Sequence, residues 1–306
     1  MKIVKVIKTV VLTAAALIIT STGILYAEDK PAAVTPSVTA ATPAAAPAED
    51  KVTGSAAVGM FNRYVFRGYV LSKDSLVIQP TATVSYKGVS LNLWSNIDSR
   101  QKSTNSATDV SGSFNPAPAG EKNLNETDLT LSYTYNIDKL ALTGGYTYYG
   151  TDYAAETEEV FLTAAYDMLL KPSLSVYRDV NNYGGTYFNL AIAHSLNITK
   201  EITFDLGASV GYEIGSATYW NTHRAGDLAA GNTGGKYSAL HDGMVKAGFT
   251  VPAGKFTIQP TVQYWFPLSS DAKKTVADSD GIKYPFNPNG ALKSTVVGGL
   301  TVTLNF

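Results

Sequence analysis

A two-residue alternation of apolar and polar side chains runs through most of this chain after residue 50. In its clearest stretch, residues 201–213, one face is apolar and the other carries Thr, Asp, Gly, Ser and Glu side chains. Successive side chains of a β-strand point to opposite sides, so this period predicts strands with one apolar and one polar face. The apolar face of this stretch consists of Ile202, Phe204, Leu206, Ala208, Val210 and Tyr212.

The same alternation predicts about twelve strands, an even number as in single-chain bacterial barrels. The predicted strands are 53–66, 76–86, 88–98, 124–136, 139–149, 157–168, 172–179, 185–196, 200–213, 238–250, 255–267 and 293–306.

The connections between these strands alternate in length. The short ones are Lys87-Gly88, 136–139, 169–171, 197–199 and 252–254, and the others are 67–75, 99–123, 150–156, 180–184, 214–237 and 268–292. Outer-membrane barrels have short periplasmic turns and longer extracellular loops. With both chain ends in the periplasm, twelve strands place every short turn on the periplasmic side.

Soluble β-sandwiches and lipocalin-like barrels also alternate, but their apolar face points inward to a core. With the polar face turned inward, a dry core would have to exclude every charge. Here the polar face carries several Asp and Glu side chains, which fits a wet interior with the apolar face toward lipid. Because only a closed barrel leaves no strand edge unpaired in lipid, we predict an all-β, antiparallel transmembrane β-barrel.

The first 27 residues have the features of a secretory signal peptide. Three lysines precede an apolar run, and small residues lead to Ala27, which is followed by two acids. An uncleaved membrane anchor is the alternative, because the apolar run approaches spanning length. Residues 28–50 are rich in Ala and Pro and predict a disordered periplasmic tether, or else a short docking segment. The barrel domain is then 51–306.

The last predicted strand ends on an aromatic residue. Val296, Gly298, Leu300, Val302, Leu304 and Phe306 share one face, and Phe306 is the final residue. Such a terminal strand resembles the signal that the barrel-assembly machinery recognises. We therefore expect that machinery to be a partner, with Phe306 as part of the assembly signal.

Composition narrows the function further. The chain has no cysteine, which excludes a lipoprotein anchor and a disulfide framework. It has 24 Lys and Arg against 25 Asp and Glu, and loss of the three signal lysines makes the mature chain more acidic. Nucleic-acid binding would require a basic patch, so we expect none. No spacing of ligand residues indicates a metal or cofactor site.

The candidate functional residues are the charged side chains of the polar face. Rows of opposite charge across a water-filled lumen would select ions, and the excess of acids predicts a mild cation preference. The same charges, paired across a narrow lumen, would instead close it. By register the side chains predicted to line the pore are Arg63, Arg67, Asp98, Glu126, Asp128, Glu159, Asp167, Asp205, Glu213, Asp242 and Lys246.

A membrane-embedded hydrolase would need a nucleophile, a base and an orienting group within reach of one another. The three histidines are His194, His223 and His241. His194 and Ser195 are neighbours on a strand and face opposite sides, and His241 follows no recognisable serine motif. We therefore expect no enzyme and no catalytic residues.

Residues 61–98 resemble the opening of the TorF-family porins of Gram-negative bacteria. The similarity is carried by the segments 64–68 (YVFRG), 88–96 (GVSLNLWSN) and 126–129 (ETDL), with weaker matches at 172–177, 185–188 and 194–195. It departs at 61–63, where a small residue and an acid are expected, and in loops 214–237 and 268–292. The resemblance implies an outer-membrane pore-like protein and supplies no functional residues.

These observations predict an outer-membrane porin-like channel for passive diffusion of ions or small polar solutes. Its partners would be outer-membrane lipid, the assembly machinery and the solutes themselves. Two alternatives remain open: a structural or adhesive barrel with an occluded lumen, and a membrane-embedded hydrolase.

Overall fold

Long alternating strands connected by hairpins fold into one closed sheet. The computed structural model describes residues 51–72, 75–99, 123–152, 156–215, 237–274 and 292–306. The predicted signal peptide 1–27 and tether 28–50 lie outside the described residues, as does most of loops 99–123, 214–237 and 268–292.

Twelve of the strands form the barrel and two form a separate short hairpin. In chain order the strands are β1 Thr53–Phe61, β2 Val65–Phe66, β3 Tyr69–Val70, β4 Val77–Tyr86, β5 Val89–Asp98, β6 Leu124–Ile137, β7 Leu140–Thr151, β8 Thr157–Tyr166, β9 Ser173–Asp179, β10 Thr186–Asn197, β11 Thr203–Ile214, β12 Ser238–Ala253, β13 Phe256–Pro267 and β14 Thr295–Asn305. A short helix, α1 (Ser270–Lys274), follows β13.

The barrel closes between its first and last strands. β1 pairs antiparallel with both β14 and β4, and every other barrel strand pairs with its neighbours along the chain. At the short-turn end, the backbone N–H groups of Gly54 and Phe306 each donate to the carbonyl of the other, at 2.6 and 2.9 Å. No free strand edge is left in the sheet, which is the condition for a sheet to cross a membrane.

The predicted strand number is confirmed, and most predicted bounds lie within a few residues of the observed ones. The first strand is the exception, because it was predicted to run to residue 66 and ends at Phe61. The connection to β4 therefore spans 62–76 rather than 67–75. Part of it folds back as the hairpin of β2 and β3.

The outer face of the barrel is apolar. On β6, for example, Leu129, Leu131, Tyr133 and Tyr135 are all exposed, whereas Asp128 on the opposite face is buried. The exposed large side chains recur on strands all around the sheet, as lipid-facing positions of a membrane barrel do. Among the described residues, no helix is long and apolar enough to cross a membrane.

The short connections are tight turns. Lys87 and Gly88 join β4 to β5 with φ angles of +49° and +84°. Two successive positive φ values are typical of the two-residue turns that match the twist of paired strands. The connections at this end of the barrel are short, which the sequence predicted for the periplasmic side.

Candidate functional site

The interior of the barrel changes character along its length. Near the short turns, inward side chains of β4 and β5 such as Ser85, Ser90 and Asn92 are partly exposed and carry hydroxyl or amide groups, whereas Thr303 on β14 is buried. Those near the long loops, such as Asn96 and Asp98, are buried. Near the short turns the lumen is thus lined by partly exposed and buried side chains, a region we call the polar vestibule. Toward the long loops it is filled.

The filling comes from the first connection of the chain, residues 62–72, which we call the lumen hairpin. It contains β2 and β3, joined by a turn at Arg67 and Gly68 with φ angles of +47° and +80°. Both φ values are positive, as in the two-residue turns of β-hairpins. Glycine adopts this conformation readily, and Arg67 shares it with Lys87 in the turn between β4 and β5.

Apolar packing holds the lumen hairpin against the inner wall. Its tyrosines and Phe66 are buried among inward-facing residues of several strands. Tyr64 packs on Trp94 with ring centroids 5.4 Å apart, and Tyr69 on His241 at 5.2 Å. The cluster comprises Phe61, Tyr64, Val65, Phe66, Tyr69, Leu71, Val77, Trp94, Tyr237, Ala239, Met244, Trp265, Leu292 and Val297.

Polar contacts tie the same segment to distant strands. Arg63 donates to the hydroxyl of Thr295 on β14 at 2.6 Å, and the Tyr64 hydroxyl donates to Glu126 on β6 at 3.2 Å. Just beyond the hairpin, Ser75 donates to Asp98 on β5. Burial, followed by the charges of Glu126 and Asp128, raises the pKa of Tyr64 well above its ordinary value, so this phenol stays protonated.

The tip of the lumen hairpin reaches almost the opposite wall. Both terminal nitrogens of Arg67 donate to the carboxylate of Glu159 on β8, each at 2.7 Å. The guanidinium carbon lies 4.7 Å from the ring centroid of Phe66, 5.0 Å from that of Tyr177 and 4.5 Å from that of Tyr187. Burial by itself lowers the pKa of Arg67, but the charge and hydrogen bonds of Glu159 raise it well above its ordinary value. Arg67 is therefore a buried cation.

The wall around Arg67 carries more carboxyl groups than Arg67 can pair with. Glu159, Glu213 and Asp242 all interact electrostatically with its guanidinium. Considering only the part of the chain that the structure describes, one oxygen each of Glu213 and Asp242 is buried without a hydrogen-bond partner, as is one oxygen of Asp128. An uncompensated buried carboxylate is costly, so each of these groups either holds a proton or pairs with a further cation.

A bulge in β12 aims two neighbouring side chains at the site. The pairing of β11 with β12 shifts between Val210 and Tyr212, where an extra residue of β12 is accommodated. His241 and Asp242 are consequently both buried on the inside, although neighbours on a regular strand face opposite ways. Asp242 accepts a hydrogen bond from the Tyr187 hydroxyl at 2.9 Å.

Most of the predicted lining residues point inward, but they fall into separate groups. Arg67, Glu159, Glu213 and Asp242 meet at one site. Glu126 and Asp128 lie beside Tyr64, Asp98 beside Ser75, and Arg63 beside Thr295. Asp205 and Lys246 face each other in the vestibule, where Asp205 accepts from Thr250 at 2.6 Å. Asp167 follows the end of β8 and is exposed in a turn. The prediction that it lines the pore is therefore wrong.

The inward tyrosines were not singled out from the sequence. Tyr149 donates to Glu159 at 3.0 Å, and Tyr177 and Tyr187 flank the Arg67 guanidinium. Their signal was present in the register, since each shares a face with polar neighbours. Aromatic residues in a barrel are assigned by default to the membrane interfaces, which hides the few that point inward.

The histidines give no catalytic arrangement among the described residues. His194 lies on the outer register near a short turn, with Nδ1 2.9 Å from the carbonyl oxygen of Leu169. His241 is buried beside the Tyr237 hydroxyl at 2.8 Å. Within the described ranges, no group of three His, Cys, Asp or Glu side chains is arranged to hold a metal ion.

Comparisons with solved structures return other membrane barrels at low similarity. The NanC porin is 8% identical over 81% of this chain and 98% of its own, with a TM-score of 0.47. An outer membrane channel from Pseudomonas putida F1 is 10% identical over 88% and 100%, with a TM-score of 0.46. LpxR from Salmonella typhimurium is 8% identical over 82% and 99%, with a TM-score of 0.40. Scores this low carry no information about function.

Sequence comparison is more decisive about the family. No curated protein matches the chain significantly. Residues 44–267, well over half of the chain, match a family described as bacterial protein of unknown function, Gcw_chp. The finer resemblance to TorF-family porins stays a prediction, because this match does not test it. The chain belongs to the Gcw_chp family of bacterial proteins of unknown function.

Proposed function

We propose that this protein is a porin-like channel of the outer membrane, through which ions or small polar solutes diffuse. The observation that carries the proposal is the polar vestibule. A closed barrel whose outer face is apolar has an inner face that carries Ser, Thr and Asn side chains, part of which are exposed near the short turns. A barrel serving only as a membrane anchor would not require a solvated interior of this kind.

The lumen hairpin determines where such a channel is narrowest. It lies between the vestibule and the long-loop end, and its tip is bound to Glu159. A solute that crosses the barrel must therefore pass beside the hairpin or displace it. Loops that fold into the lumen constrict the pore of many barrels, and charges at the constriction select the permeating ion.

The sign of the charge at this level supports a preference for cations. Glu126, Asp128, Glu159, Glu213 and Asp242 line the filled half, against Arg67 from the hairpin. Those carboxyl groups that are ionised in excess of Arg67 attract cations and repel anions in a low-dielectric confined space.

A structural barrel with an occluded lumen is the second candidate. The ion pair of Arg67 with Glu159 favours it, because charges paired across a narrow lumen close it. Export by a cleaved signal peptide and insertion by the barrel-assembly machinery are common to both candidates and remain proposals.

Planar-bilayer conductance of refolded residues 28–306 in a salt gradient separates the two. We expect discrete current steps and a reversal potential of the sign given by cation flow. A folded barrel, identified by heat-modifiable migration on a gel, that never conducts would overturn the channel and leave the occluded barrel. Steps with an anion-selective reversal potential would keep the channel and reject the charge argument.

A further inference from the structure

The pocket that holds Arg67 has the features of a guanidinium-binding site. Glu159 offers both carboxylate oxygens to the two terminal nitrogens, at 2.7 Å each. Three aromatic rings, those of Phe66, Tyr177 and Tyr187, lie within 5.0 Å of the guanidinium carbon. A carboxylate matches the planar fork of a guanidinium, and aromatic faces attract its charge.

The pocket belongs to the barrel wall rather than to the hairpin. Glu159 is oriented by the Tyr149 hydroxyl at 3.0 Å, a contact between neighbouring strands. Tyr187 is oriented by Asp242 at 2.9 Å and contacted by Asn189 at 3.3 Å. Of the groups that surround the guanidinium, only Phe66 comes from the hairpin itself, and the hydrogen bonds that orient Glu159 and Tyr187 within the wall do not involve Arg67.

Gly211 on β11 keeps this wall compact. A Cβ at that position would collide with the Asp242 carboxylate and the Tyr187 hydroxyl. The close approach allows the hydrogen bond between those two groups to form beside the pocket. The geometry of the pocket is therefore built into the strands.

The pocket also has unused capacity for positive charge. Glu213 is 1% exposed and Asp242 is 0% exposed, and each has one carboxylate oxygen with no hydrogen-bond partner in the described part of the chain. Both oxygens lie in the wall that surrounds Arg67, whose two terminal nitrogens are taken up by Glu159. A ligand with a second group that donates hydrogen bonds, such as an ammonium, would satisfy oxygens that Arg67 leaves unpaired.

Arg67 enters the pocket from the tip of the lumen hairpin, so another guanidinium could replace it. It stands at the tip of a short hairpin, where its φ of +47° is unfavourable for a residue with a side chain. A purely structural ion pair between two adjacent strands would need neither the turn nor the crossing of the lumen. Release of the tip would leave the wall pocket vacant.

We infer that this pocket is a binding site for small solutes bearing a guanidinium group and a second positive charge, and that Arg67 occupies it as an internal ligand. As a statement about the solute that crosses the membrane, this rests on the proposed channel. As a statement about binding, it stands independently.

The first test is calorimetric titration of the refolded Arg67→Ala barrel with agmatine, a butylamine that carries a guanidinium. The matched control ligand is 1,5-diaminopentane, which has two ammonium groups at similar spacing. We expect agmatine to bind at least about tenfold more tightly, since one charge-assisted hydrogen bond is worth that much. The unaltered barrel should bind agmatine far more weakly, because the tethered Arg67 competes at high effective concentration.

Two variants check that the binding is located in this pocket. Adding Glu159→Gln to Arg67→Ala should abolish the preference for agmatine. Arg63→Ala also removes a guanidinium from the same connection but leaves the pocket filled, so it should behave like the unaltered barrel. Equal affinity of Arg67→Ala for the two ligands, or no binding of either, would overturn the inference.

A variant that keeps a buried positive charge provides a second test in case Arg67→Ala does not fold. Arg67→Lys retains a cation but loses the two-pronged contact with Glu159, so agmatine should displace it. Amide hydrogen exchange of residues 62–72 in this variant should rise with agmatine and not with 1,5-diaminopentane. Unchanged exchange at saturating agmatine would reject the inference even if Arg67→Ala fails to fold.

These measurements use no voltage and no gradient. Binding by a barrel that does not conduct would support the pocket while refuting the channel. Conductance by a barrel that does not bind agmatine would do the reverse.

Discussion

The guanidinium of Arg67 and the carboxylate of Glu159 form a two-pronged ion pair across the lumen, although the residues are 92 positions apart in the chain. Arg67 enters from the connection after β1, and Glu159 stands on β8, almost opposite in the barrel. Both side chains are 7% exposed. The contact thus links the first hairpin to a distant wall in a site shielded from water.

Breaking this pair from one side should be costly. Arg67→Ala leaves the carboxylate of Glu159 buried without a counter-charge. Removal of one partner of a buried ion pair costs about 3–5 kcal/mol. We expect the free energy of unfolding to fall by this amount. It is measured by urea unfolding of the barrel in vesicles, followed by tryptophan fluorescence. The double variant Arg67→Met with Glu159→Leu should recover most of it. A single-variant loss below about 1 kcal/mol would contradict a tightly held tip.

Gly68 should tolerate alanine poorly. Its φ is +80°, and an added Cβ would lie 2.7 Å from a methyl of Leu292 and 2.8 Å from Cβ of Asp242. Gly254 is the matched control, since its φ is +65° and a Cβ there meets nothing within 4 Å. We expect Gly254→Ala to show only the backbone cost of about 1–2 kcal/mol. Gly68→Ala should lose more and raise proteolytic cleavage within 62–72. Equal losses would show that the tip is not wedged against the wall.

An arginine on the outer belt should hinder insertion. Leu131 is exposed on the outer face in the middle of β6, and arginine near the bilayer midplane costs about 2–4 kcal/mol. Ser132 is its inward neighbour in the vestibule, where the same change stays in water. Folding yield into vesicles should therefore fall for Leu131→Arg and not for Ser132→Arg. A lower folding yield for Ser132→Arg than for Leu131→Arg would mean that Ser132, and not Leu131, faces lipid.

Charges in the vestibule should alter ion selectivity in opposite directions. Asp205 and Lys246 face each other there, outside the region filled by the hairpin. Asp205→Asn removes a negative charge and should reduce cation preference, whereas Lys246→Met should increase it. The reversal potential in a salt gradient measures both. Shifts of the same sign would show that the permeating ions do not pass these residues.

Phe306 should matter more for assembly in cells than for stability. Its side chain is 60% exposed at the barrel seam, so Phe306→Ala removes little buried area. We expect unaltered refolding from urea into vesicles but less folded barrel in the outer membrane of cells. A matched change at exposed Val296 on the same strand face should leave both unchanged. Equal assembly of the Phe306 variant would remove this residue from the assembly signal.

The alternation of side chains was sufficient to predict the strands and their faces. Residues 203–214 and 124–137 could be assigned because alternation is a local property of an extended backbone and needs no knowledge of distant contacts. The same local signal placed Asp128, Glu159 and Glu213 on the inner face. Asp167 was misplaced because a strand end is set by pairing, and β8 stops at Tyr166, one residue before it.

The path of residues 62–72 was decided only by the tertiary structure. Their sequence is compatible with a longer first strand, and nothing local distinguishes a strand that continues from a hairpin that turns into the lumen. The bulge that turns His241 and Asp242 to the same side depends likewise on how β11 meets β12. The sequence by itself determined the barrel, its strand number and which face meets lipid. The occupant of the lumen depended on the pairing of Arg67 with Glu159, which exists only once the sheet has closed.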